Sequence, residues 1–116
     1  MTPFYLPLTG DTPQTTNGAQ FTGLAMPVAC TFDTLTVKSI SITPAGVADN
    51  IAVTLVKNGA DTGLTCTLTT SLSVLGAGSC SNGTPVAVAV GDIVGLHVTQ
   101  TNNTPIIRVG IGTRCN

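Results

Sequence analysis

The chain has 116 residues, of which 8% are charged, with a net charge of -1 and all its acidic groups Asp; a typical soluble domain carries about a quarter. That balance excludes the basic footprint on which nucleic-acid binding depends and the polybasic attraction that draws proteins to anionic membranes. One domain fits this length and two packed domains do not. No stretch reads as about twenty consecutive apolar residues, so no transmembrane helix is expected.

What takes the place of charge is Thr, 21 of them, with 13 Gly, 12 Val and seven each of Ile, Pro and Asn. β-Branched side chains fit a pleated, half-buried surface better than a helix, and frequent Gly, Pro and Asn punctuate short strands. An all-β domain is therefore expected. A mean hydropathy of +0.43 sets the chain apart from disordered sequences that cannot bury a core.

Residues 1–23 read as an extended N-terminal arm, broken by Pro3, Pro7, Pro13, Gly10, Gly18 and Gly23. Phe4, Tyr5 and Phe21 are three of the four aromatic residues, and Leu6 and Leu8 add apolar weight. Such an arm either folds back over its own domain or docks on a neighbouring chain, where aromatic residues are the usual anchors.

Residues 24–116 form the domain proper, as short alternating runs separated by turns at the spacing of a sandwich or barrel. Between Leu35 and Ile42 the apolar positions change from odd to even, which predicts a bulge or a switch between sheets near Lys38-Ser39. Asn58-Gly59 predicts a two-residue type I′ hairpin, because both central positions need positive φ. Counting outward from that turn sets Val53 against Leu64 and Ile51 against Cys66, with Leu68 continuing the same face. Val86, Val88 and Val90 lead into a Gly91-Asp92 turn. Val94, Leu96 and Val98 then resume the inward phase and send His97 outward. In the last strand Ile107, Val109, Ile111 and Cys115 alternate with Arg108 and Arg114.

Cys30, Cys66, Cys80 and Cys115 lack the close ligand pairs of a structural zinc site, so no metal is expected. The favoured pairing is Cys66–Cys80 and Cys30–Cys115, which in the chain-entropy view contribute about 3 and about 4.6 kcal/mol; the alternative is four buried thiols acting as small hydrophobes. Disulfides imply an oxidising destination, yet the start has neither a basic segment nor an apolar run of a secretory signal. A virus particle whose bonds close after release reconciles the two, as does a signal peptide removed earlier.

Catalytic chemistry has little to draw on. There is one His, no Glu and five scattered Asp, with no carboxylate pair and no nucleophile elbow, so neither a catalytic residue nor a cofactor is expected. His97 with Asp92 or Asp49 is the one arrangement that would orient a nucleophile, and His97 reads better as an exposed or subunit-contact histidine. Asp92 reads as a turn former that bonds nearby amides. Residues 76–83 and 100–104 read as small polar loops, whose Ser79, Asn82, Asn102 and Asn103 would suit hydrogen bonding to glycans. The sequons at Asn82 and Asn103's neighbour Asn102 are expected by chance in a chain so rich in Asn and Thr.

Thr54-Leu55-Val56-Lys57-Asn58-Gly59 and Val90-Gly91-Asp92-Ile93-Val94-Gly95-Leu96-His97-Val98 together resemble the globular heads of the tumour-necrosis-factor and complement type. The resemblance covers roughly residues 50–112 and implies a two-sheet antiparallel jelly-roll sandwich that forms a homotrimer. The last strand departs from it, with Arg108-Val109-Gly110-Ile111-Gly112 where such heads carry aromatic residues. Small jelly rolls of this kind are also similar to decoration and fibre proteins of tailed bacteriophages. The expectation is a non-enzymatic structural protein at the virion surface, a capsid decoration or fibre-head subunit whose partners are its own copies and the major capsid protein. The alternatives are a secreted or cell-surface glycan-binding adhesin and a self-assembling extracellular filament subunit.

Overall fold

The computed structural model describes residues 4–7, 23–41, 50–69, 77–100 and 107–116. They form β1 (Phe4–Pro7), β2 (Leu24–Ala25), β3 (Cys30–Ser41), β4 (Asn50–Lys57), β5 (Ala60–Thr69), β6 (Ala77–Asn82), β7 (Val86–Val88), β8 (Ile93–Gln100) and β9 (Ile107–Cys115), with no helix among the described residues. The strands make two antiparallel sheets. The first runs β1-β8-β4-β5 with β2 also on β8; the second has β3 at its centre, flanked by β9 on one edge and by β6 and β7 in succession on the other. The all-β expectation is met in this form.

Alternation makes the core. In β5, Leu64, Cys66 and Leu68 are buried while Thr65, Thr67 and Thr69, which alternate with them, are exposed, the period-two signature of a sheet with one wet face. Ile51, Val53 and Leu55 of β4 and Val94, Leu96 and Val98 of β8 bury on the same side and meet Phe32, Leu35, Val37 and Val88 from the second sheet. On the wet face hydroxyls bond one another across strands, as in Thr54 with Thr65 at 2.8 Å.

The Asn58-Gly59 turn forms as expected, with φ of 53° and 83°. The register beyond it does not. Val56 opposes Asp61 as the turn dictates, but Thr54 opposes Thr65, so Val53 faces Cys66 instead of Leu64 and Ile51 faces Leu68 instead of Cys66. Thr62 carries the irregularity: its hydroxyl donates to the Leu55 carbonyl at 2.7 Å and accepts the Leu64 amide at 3.3 Å, replacing a ladder bond. A slip of two residues keeps every side chain on its original face, so the expected core survives a wrong register.

The bulge in β3 also lies elsewhere. Pairing with β9 is unbroken from Thr34 to Ser41, through Lys38-Ser39, and the shift falls between Phe32 and Thr34. The extra residue is Asp33, so Phe32 on one side of it and Leu35 and Val37 on the other all reach the core.

Both favoured disulfides are present and no described cysteine is free. Cys66–Cys80 joins β5 to β6, the facing edges of the two sheets, and Cys30–Cys115 ties the start of β3 to the end of β9. The chain therefore is stapled at one edge of the sandwich and again where its first long strand meets its last.

A single register links the sheets at one end. Leu24 opposes Val94 and Ala25 opposes Ile93 in the first sheet, and the same pairing continues in the second as Cys30 against Val88 and Phe32 against Val86. Segments 24–32 and 86–94 thus cross from sheet to sheet side by side. At the corner Met26 N donates to the Asp92 carbonyl at 2.9 Å and Gly91 N donates to the Met26 carbonyl at 2.8 Å.

Candidate functional site

The corner is where side chains of several elements converge. Residues 89–92 form a tight turn, closed by Asp92 N donating to the Ala89 carbonyl at 3.1 Å, with Gly91 at φ +86° supplying the positive dihedral of a type II turn. The turn is centred on Val90-Gly91, one residue earlier than the sequence suggests. The Asp92 carboxylate accepts the Ala89 amide at 2.8 Å and the Asn58 side-chain amide at 2.9 Å, and Lys57 Nζ lies 3.7 Å from it. Asp92 is thus the turn former expected.

Asn58 completes the clamp. Its side-chain oxygen accepts the Ile93 amide at 2.8 Å and its own backbone amide donates to the Ile93 carbonyl at 2.7 Å. Lys57 Nζ donates to the Ala87 carbonyl at 3.0 Å. The β4–β5 hairpin tip is thereby bolted to the turn before β8. Residues 57–58 and 87–93 are the two halves of this contact, a long-range pairing that neither stretch discloses alone.

Around the clamp lies an apolar surface. Val28, Val90 and Ile93 are the exposed large hydrophobic residues among those described, at 58%, 67% and 40%. All three belong to the two crossing segments, and Ala25, Pro27, Ala29 and Ala89 beside them are exposed too. Backbone bonds hold Met26 to Gly91 and Asp92 within this corner, and Lys57 and Asp92 at its border form an ion pair. Nothing in its single residues marked it in the sequence, because Val90 and Ile93 fall in alternating runs that read as strand.

A second polar cluster fixes the end of the chain. Arg114 grips both oxygens of Asp33 at 3.0 and 3.1 Å, the Asn116 side-chain amide donates to the same carboxylate, and Thr34 donates at 3.1 Å. Thr31 and Asn116 exchange both backbone bonds alongside. Arg114 is exposed, as its phase predicts; Ile111 and Cys115 pack against the core.

His97 is not paired with Asp92. Its Nδ1 lies 2.9 Å from Asp61 of β5, reaching over β4, and its side chain is 17% exposed; Asp92 is already engaged by Ala89, Asn58 and Lys57. Asp49 lies outside the described residues. Among the described residues no three His, Cys, Asp or Glu side chains gather as a metal site would require.

Of the expected glycan loops, the 76–83 segment is largely a strand. Ser79 sits within β6 opposite Lys38, and Asn82 ends it, its side-chain oxygen accepting the Thr84 amide at 2.7 Å. That short-range bond makes Asn82 a turn former. Asn102 and Asn103 lie outside the described residues, as do Leu8 and Phe21 of the arm. Phe4, Tyr5 and Leu6 fall in β1, antiparallel to β8.

The two depressed carboxylates predict an acid response. The Arg114 guanidinium holds the Asp33 carboxyl below its ordinary range, and the Ala89 amide with the Asn58 side chain does the same for Asp92. Each group binds its proton more weakly folded than unfolded, so its contribution is complete above the unfolded value of about 3.9 and is lost as pH falls through the lower folded value. The urea midpoint should therefore fall from about pH 5 towards pH 2, and Asp33→Asn or Asp92→Asn should flatten that fall. An unchanged slope in both variants would remove these two carboxylates as its cause.

Compared with family models, with curated proteins and with solved structures, the chain matches none.

Proposed function

We propose that this protein is a structural subunit of a virus particle, a capsid decoration or fibre-head domain that performs no reaction. The observation that carries the reading is the apolar corner: Val28, Val90 and Ile93, the exposed large hydrophobic residues among those described, lie on the two crossing segments of a chain very poor in charge. A lone domain usually keeps itself soluble with far more charge, and such a patch marks a protein contact. Two disulfides suit life outside a reducing cell. The jelly-roll assignment is supported by paired segments that cross between sheets together and by the nesting of the β4–β8 pair inside the β3–β9 pair, as when one long hairpin rolls up. In this reading the corner faces the shell protein.

Val28→Asp and Val90→Asp test it. Both residues are more than half exposed and Val90 occupies a turn position that accepts most residues, so melting should shift by no more than a few degrees. Binding to purified particles lacking the protein should fall at least tenfold for the double variant. Full retention of binding would overturn the role of the corner, and specific binding to a glycan array would favour the adhesin.

A further inference from the structure

The first strand enters its sheet in an unusual way. Pro7 opposes Gly95 and Leu24 opposes Val94, so β1 and β2 occupy consecutive places along one edge of β8 although residues 8–23 separate them in the chain. β1 pairs with β8, through Phe4 against Val98, Tyr5 against His97 and Leu6 against Leu96, and among the described strands no other pairs with it. β2, by contrast, runs directly into β3 and the bonded corner.

We propose that β1 is an exchangeable strand, which in the assembled protein occupies the β8 edge of a second copy of this chain. The exchange replaces each β1–β8 bond with an identical one, so its enthalpy is nearly neutral, and it relieves the closure of segment 8–23 on a single point of the sheet. Fully extended, that segment spans about 50 Å, enough to reach a neighbouring domain. Pro7 ends the strand and Pro3 precedes it in sequence, a residue type that suits edge strands. Without its occupant the β8 edge would expose a row of unpaired amides and carbonyls beside Val94, Leu96 and Val98, an edge that proteins rarely leave open. The second copy is favoured over a foreign strand because this chain's own β1 already fits that edge in register.

The inference rests on the reading of the protein as an assembly subunit, but its test needs no particle. Two full-length variants, Phe4→Cys in a tagged chain and Val98→Cys in an untagged one, are mixed under mild oxidation at high concentration, with the native disulfides already closed. Exchange predicts a covalent heterodimer linked at positions 4 and 98, and for the unmodified chain a scattering mass at least twice 11.7 kDa. The double variant Phe4→Cys/Val98→Cys serves as a check on register. A link found only within single chains, or no link at either setting, overturns exchange. A multimeric mass without the cross-link also overturns it, while leaving the subunit reading intact through another face; particle binding by Val28→Asp/Val90→Asp judges that reading separately.

Discussion

Reducing both disulfides should unfold the domain at 37 °C, and Cys30→Ala/Cys115→Ala should account for the larger share of the loss. The 30–115 bridge spans a sequence separation of 85 and the 66–80 bridge one of 14, so in the chain-entropy model they restrict the unfolded ensemble by about 4.6 and about 3 kcal/mol. A domain of this size has a total stability of about 5–15 kcal/mol, so losing both removes half of it or more. Structure adds a reason for asymmetry beyond loop length. The Cys30–Cys115 end is seconded by the Asp33–Arg114 grip and the Thr31–Asn116 backbone pair, all of which depend on β9 staying beside β3. Cys66–Cys80 instead links two sheets that already meet through buried Leu64, Leu68, Leu35 and Val37. Thermal melts of the two double alanine variants, each retaining the other bridge, measure the difference: a drop of roughly 15–25 °C is expected for the first and about 10–15 °C for the second. Equal or reversed drops would show that native-state packing, not chain entropy, sets the ranking.

How much of this was legible in the sequence depends on the range of the interaction. The Asn58-Gly59 turn is local and was readable, as was the alternation that buries Leu64, Cys66 and Leu68. The register two residues beyond the turn was not, because it depends on Thr62 turning its hydroxyl back onto Leu55, a choice no periodicity records. The apolar phase changes at Lys38-Ser39, yet the bulge lies at Asp33, where a charged residue between Phe32 and Leu35 meets Arg114 of β9. The cysteine pairing was legible through loop closure, but not that one bridge joins the two sheets. Ser79 read as loop because small residues surround it, yet its backbone pairs with Lys38. The apolar corner was invisible, since it is the crossing of 24–32 with 86–94 that sets the segment carrying Val28 beside the one carrying Val90 and Ile93.

Asn58 is the residue on which local and long-range structure depend together, and substitution can separate the two. Asn58→Ala forces a residue with a Cβ and no polar side chain into φ 53°, at a cost of about 1–2 kcal/mol, and removes two side-chain bonds, to Ile93 N and to Asp92, worth about 0.5–1.5 kcal/mol each. The expected total is about 2–5 kcal/mol. Asn58→Gly keeps the backbone conformation and loses only the side-chain bonds, so it should cost about 1–2 kcal/mol less than Asn58→Ala. Urea unfolding of both variants gives the comparison. If Gly restores nearly all the stability, the hairpin conformation dominates and the clamp adds little; if Gly and Ala lose alike, the bonds to Ile93 and Asp92 carry the effect. The same bonds seat the 89–92 turn that presents Val90, so hydrogen exchange at Gly91 and Ile93 should quicken in Asn58→Gly while the β3–β9 ladder stays protected. Faster exchange throughout the sandwich would mean instead that the corner is an integral part of one cooperative unit, and that its apolar patch cannot loosen without unfolding the domain.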